Sequence, residues 1–150
     1  LTMLKSAVYP NPDADKEHHS FTWSIAPHEG GWREGNTVAK AYVLNNPYQT
    51  AVKENEGGNL PASYSFVQAD KENVVIEAVK KAEDSDAVIV RLYECYNRRG
   101  QTTLTFPRPV KRAVICNMLE EEIGEVLNVN GSQVELELKP YEIETVKVEF

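Results

Sequence analysis

The chain has 150 residues, 41% of them hydrophobic and 26% charged, with a formal net charge of −7. That is the ordinary make-up of one globular domain with its own core. It argues against nucleic acid as a partner, because neutralising phosphates takes clustered Lys and Arg, and Arg98, Arg99, Arg108, Lys111 and Arg112 are too few to reverse the charge and read as a solvated loop.

The dominant period along the chain is two, the mark of half-buried strands. Met3–Val8 is strand-like. Asp13, Asp15, His18 and His19 lie close together, but the acids sit in a Pro-Asn-Pro-Asp turn and the two histidines would face opposite ways on a strand, so an acidic turn is expected rather than a metal site. Phe21, Trp23 and Ile25 alternate with Thr22 and Ser24, which predicts a strand with Trp23 in the core. Pro27 then breaks the pattern, and His28, Glu29 and Trp32 surround Gly30 and Gly31 in an exposed turn. A helix is predicted from Trp32 to Asn45, with Val38, Ala41, Tyr42 and Asn45 on one face. Asn46-Pro47 ends it, since the residue before a proline avoids helical angles.

Glu54–Asn59 reads as a loop. Asn73–Ala82 would suit a helix through Val75, Val79 and Ala82, but its β-branched residues favour a strand. Glu83–Asp86 turns the chain into a second run, Ala87–Tyr96, making an antiparallel hairpin. On that run Arg91 and Tyr93 share one face and Glu94 takes the other. A charge in so apolar a strand must be edge-facing or paired, which leaves an Arg91–carboxylate pair across the sheet or a group lining a cleft. Glu120–Glu122 reads as a solvated loop. Asn130-Gly131, between Val126–Val129 and Val134–Leu138, is a strong hairpin signal. Val146, Val148 and Phe150 alternate to the last residue. About ten short strands and one helix predict a mostly β chain: an antiparallel β-sandwich with one short helix, a single domain over residues 1–150.

The residues alone assign no catalytic group and no metal ligand. There is no Gly-x-Ser-x-Gly elbow and no Gly-x-Gly-x-x-Gly or phosphate loop. No apolar run reaches the roughly 18–20 residues that span a bilayer, so no membrane partner is expected. Cys95 and Cys116 sit in strand-like runs without a Cys-x-x-Cys pair and read as buried free thiols of a reducing compartment, which suggests the cytoplasm. Trp23, Trp32, Tyr93 and Tyr96 could stack on a sugar or fill the core.

Three blocks carry a resemblance. The first, from His19, is His-Ser-Phe-Thr-Trp-Ser-Ile-Ala-Pro-His-Glu-Gly-Gly-Trp-Arg-Glu. The second is Asn73–Asp84 followed by Ile89-Val90-Arg91-Leu92-Tyr93-Glu94, and the third is Leu138–Val146. In this order they resemble the C-terminal region of the family-38 glycoside hydrolases, the α-mannosidases. The resemblance implies the C-terminal fragment of a larger enzyme that hydrolyses α-linked mannose with retention. Such an enzyme uses an aspartate nucleophile, a second carboxyl about 5 Å away and a divalent metal, zinc. Those groups belong to an N-terminal catalytic domain, so no catalytic residue, metal ligand or cofactor is carried over to this chain, which is expected to be inactive alone. The expected partners are that catalytic domain and an α-mannoside, with a homo-oligomer left open. Lacking an initial methionine and starting and ending on strand-like runs, the chain reads as a piece of that enzyme. His28, Glu29 and Trp32, and secondarily Arg91 and Tyr93, are the candidates for the rim of the sugar cleft. Two other readings stay open: a free-standing carbohydrate-binding module, and a structural or interaction domain without a ligand.

Overall fold

The computed structural model describes residues 2–52 and 57–150. They fall into two compact units, Leu1–Ala51 and Val52–Phe150. Of the loop expected at Glu54–Asn59, residues 54–56 lie outside the described residues; Gly57–Asn59 carry no regular structure.

The first unit holds one helix, α1 (Thr37–Asn45), and no strand among its described residues. The strands expected at Met3–Val8 and around Phe21–Ile25 are therefore corrected. Alternation says which side chains one face would bury, but a strand also needs a neighbour for its backbone hydrogen bonds, and none pairs here. Trp23 is likewise not core: Phe21, Trp23 and Ile25 are 47%, 56% and 79% exposed. The helix starts five residues later than predicted. Asn36 at its N-cap is left-handed (φ 51), and residues 31–37 instead form turns closed by Gly35 N–H to Gly31 O (3.0 Å) and Thr37 N–H to Trp32 O (3.0 Å). It ends as predicted, where Asn46 N–H reaches Tyr42 O at 2.8 Å before Pro47.

The second unit is an antiparallel β-sandwich. Its strands are β1 (Gln68–Ala69), β2 (Val74–Lys81), β3 (Val88–Glu94), β4 (Gly100–Thr105), β5 (Arg112–Cys116), β6 (Glu122–Val126), β7 (Asn128–Asn130), β8 (Gln133–Leu138) and β9 (Ile143–Glu149). One sheet runs β1-β4-β8-β7 and the other β2-β3-β9-β5-β6. The core lies between them, with Val90 and Leu92 of β3, Val146 and Val148 of β9, Leu104 of β4 and Val134 of β8 all fully buried. The side chains alternate with the pleat: β8 reads exposed, buried, exposed, buried from Gln133 to Leu138.

Asn73–Ala82 holds strand β2 and not a helix, and it pairs with β3 from Val74↔Glu94 to Lys81↔Val88. As an edge strand it is blunted by an irregularity between Ile76 and Ala78 and by Lys80 and Lys81. The Asn130-Gly131 hairpin also forms, with Gly131 at φ 60. The strand expected over Val126–Val129 is divided, however. β6 pairs with β5 in one sheet and β7 with β8 in the other, and the chain crosses between sheets at Leu127, whose N–H reaches Ala113 O at 2.9 Å.

Two further expectations are corrected. The Glu120 side chain is only 8% exposed; it accepts from Lys80 Nζ (2.8 Å) and from the Glu83 N–H (2.8 Å), so it caps the β2–β3 turn. Glu122 belongs to β6 and takes both guanidinium nitrogens of Arg112, which lies in β5 rather than in a solvated loop. Cys95 and Cys116 are free and buried.

Candidate functional site

The turn at His28 is built by glycines. Gly30 is left-handed (φ 70), and the Gly31 N–H donates to Glu34 Oε2 at 2.9 Å. Gly35 is buried, and a Cβ placed on it would stand 2.3 Å from His28 Cγ, so the imidazole lies directly on that backbone. His28 Nδ1 is 3.0 Å from Glu29 O. A carbonyl only accepts, so Nδ1 carries the proton in this bond and Nε2 is the ring nitrogen left for another partner. The ring lines an open cavity of about 240 Å³ with Ser24, Thr37, Lys40 and Leu44. Glu29 is exposed. Trp32 is 39% exposed, and the Arg33 guanidinium sits 4.4 Å from its ring centroid, covering part of the face a sugar would use. The structure thus brings His28, Glu29 and Trp32 into one turn. It adds Glu34 and Gly35, which hold the turn and were not singled out in the sequence; a glycine inside a helix-like pattern was the available signal.

Arg91 and Tyr93 lie in the second unit. Val90 and Leu92 point into the core, so Arg91 and Tyr93 face the other way, opposite Thr145 and Ile143 of β9. Both are half-buried. Among the described residues Arg91 makes no carboxylate pair across the sheet; its Nη2 donates to Met118 O at 2.9 Å, and its buried Nε has no hydrogen-bond partner among them.

Glu94, 2% exposed, ends β3 on the opposite face. Its Oε1 accepts from Asn73 Nδ2 (2.9 Å) and the Tyr96 N–H (2.7 Å), and its Oε2 accepts from the Tyr141 N–H (2.9 Å). Burial pushes its carboxyl up, but the donors of Asn73, Tyr141, Tyr96 and Arg98 outweigh that and hold it below its ordinary value. It is therefore an ionised group fixed by donors, and it lines a cavity, as one of the two readings of the strand had it. Among the described residues no three His, Cys, Asp or Glu side chains are placed to hold a metal ion, and no helix is long and apolar enough to cross a membrane.

The architecture of the second unit can be set beside known families. The model described as the glycosyl hydrolases family 38 C-terminal beta sandwich domain matches residues 73–146, which run from the start of β2 into β9. The chain belongs to that family. The similarity to alpha-mannosidases extends through both units. Alpha-mannosidase G of Dictyostelium discoideum is 30% identical over 155 residues, covering 98% of this chain and 14% of that protein. Alpha-mannosidase 2C1 of Homo sapiens is 28% identical over 148 residues, covering 95% of this chain and 14% of its own length. An alpha-mannosidase of Saccharomyces cerevisiae is 24% identical over 171 residues, covering 100% of this chain and 16% of its own. The chain thus spans about one seventh of the length of the relatives it matches, each of which is named an alpha-mannosidase.

Proposed function

We propose that this chain is the C-terminal part of a retaining α-mannosidase, inactive by itself, that buttresses the catalytic domain and lends the His28 turn to the rim of the sugar cleft. The observation that carries the reading is the exposure of the large apolar Phe21, Trp23 and Ile25, 47–79%. Large exposed apolar side chains gathered in one segment fit a surface that another body covers, and the relatives' names and greater length support the catalytic domain as that body. The aspartate nucleophile and a zinc ion that would hold sugar hydroxyls belong, on this reading, to that catalytic domain. At the rim, His28 Nε2 accepts a hydroxyl, Glu29 supplies a further acceptor, and Trp32 offers what Arg33 leaves of its face. Arg91 and Tyr93 are the second candidates. The two buried free thiols fit a reducing compartment, the cytoplasm.

The test uses the full-length enzyme. His28→Ala and Trp32→Ala should raise KM or lower kcat for an α-mannoside while the melting temperature stays put. Unchanged kinetics in both variants removes the rim assignment. Turnover of an α-mannoside by the 150-residue chain alone, with zinc supplied, overturns the division of labour.

A further inference from the structure

One end of the sandwich is more organised than its turns require. Asn97 (φ 60) is left-handed, a conformation its type takes readily, but so is Tyr141 (φ 56), a bulky residue that seldom takes it. Such outliers persist where their surroundings over-determine them, and they gather at ligand sites. Here the surroundings are Glu94, whose carboxylate ties the start of β2 (Asn73), the β3–β4 turn (Tyr96) and the β8–β9 turn (Tyr141) together.

Those tied segments line a cavity of about 220 Å³, backed by the apolar Val74 and Leu138 and rimmed by Lys71, Arg98, Arg99 and Gln101. The size is below the roughly 300–1,000 Å³ typical of drug-sized ligands, which leaves room for a single ring. Charge decides the ligand's class. Lys71 pairs with Asp70 (3.1 Å), Arg98 with Glu72 (4.0 Å) and Arg99 with Glu137 (3.1 Å), and Glu94 stands in the wall. Four carboxylates meet three cations, so nothing there favours an anion. Glu94 spends its lone pairs on protein donors, whereas the two guanidiniums and the Gln101 amide keep N–H groups to spare and Gln101 also offers an acceptor.

We propose that this end of the sandwich binds one neutral polyhydroxylated ring, a single saccharide unit. Its C–H face lies on the half-buried Val74, and its hydroxyls meet Arg98, Arg99 and Gln101. The proposal rests on the sandwich alone and stands or falls separately from the rim assignment of His28 and Trp32.

The test is ligand-observed NMR on the 150-residue chain with methyl α-D-mannopyranoside as probe and inorganic phosphate as control. Saturable binding of the mannoside in the millimolar range is expected. The double variant Arg98→Ala with Gln101→Ala alters only exposed side chains and should keep the circular dichroism spectrum. It should weaken binding about tenfold, the loss of one or two hydrogen bonds, while His28→Ala leaves binding intact. No saturable binding, or equal binding by the double variant, overturns the proposal. So does preferential binding of phosphate, which would make the cavity an anion site.

Discussion

The carboxylate of Glu94 and the backbone N–H of Tyr141 meet at 2.9 Å across 47 residues of sequence. This bond joins the end of β3 to the turn between β8 and β9, and it holds Tyr141 in its left-handed conformation. A buried acceptor serving several turns at once should matter more to stability than its charge alone suggests.

Glu94→Gln tests that role. The amide keeps the shape but turns one acceptor into a donor facing Asn73 Nδ2 and backbone N–H groups. A loss of about 1–3 kcal/mol is expected from the unmade bonds, read as a lower urea midpoint with an unchanged slope. A midpoint equal to the parent's would show that the knot is dispensable.

Two carboxyls should shape the acid response in opposite directions. Glu94 is held below its ordinary value, so its contribution is present above the unfolded pKa of about 4.3 and is lost as pH falls through the lower folded value. Glu144 is pushed up by burial and by the neighbouring Glu142. It costs stability at neutral pH, and that cost is relieved as pH falls through its raised value towards the ordinary one. Urea midpoints taken from neutral to acid should therefore climb slightly before they drop. Glu144→Gln should remove the climb and raise the neutral midpoint; a variant whose profile still climbs places its origin elsewhere.

Two glycine substitutions should separate strain from collision. Gly131 has φ 60 with nothing near its missing side chain. Gly131→Ala should cost about 1 kcal/mol from the left-handed backbone alone, seen in the melting curve of the sandwich. Gly35→Ala instead drives a methyl to within 2.3 Å of the His28 ring. The imidazole must leave its seat, so in the full-length enzyme this variant should reproduce the kinetics of His28→Ala. Wild-type kinetics would mean that the seat is irrelevant.

Core and surface leucine-sized residues give the scale. Leu104 is fully buried between the sheets and Ile143 is 70% exposed. Leu104→Ala should cost about 2–5 kcal/mol, and Ile143→Ala about 0.5 kcal/mol or less, by denaturant titration. Comparable losses would mean that Ile143 is covered by something in solution.

The sandwich was legible in the sequence where period and punctuation agree. Glu83–Asp86 and Asn130-Gly131 mark turns between alternating runs, and both hairpins form there. Phe21, Trp23 and Ile25 alternate just as cleanly, yet no strand pairs with them, because pairing is a property of distant residues and alternation is a local one. The split at Leu127 was hidden for the same reason: a change of sheet leaves no mark on a run of four residues. Of the candidate sites, the His28 turn was visible through Pro27, Gly30 and Gly31, while the contact of the ring with Gly35 was not. Glu94 stood out as a charge among apolar neighbours. Its backbone donors, Tyr96 and Tyr141, could not be read, since an N–H group has no side-chain signature.

The two cysteines offer a built-in readout. Cys95 follows the end of β3 and Cys116 closes β5, and burial pushes both thiols up, with the charge of Glu94 acting in the same direction on Cys95. An alkylating reagent attacks thiolate, so it must wait for either strand end to lift. The native chain therefore carries two clocks, and the pace of labelling at each would report how often its own corner of the sandwich breathes.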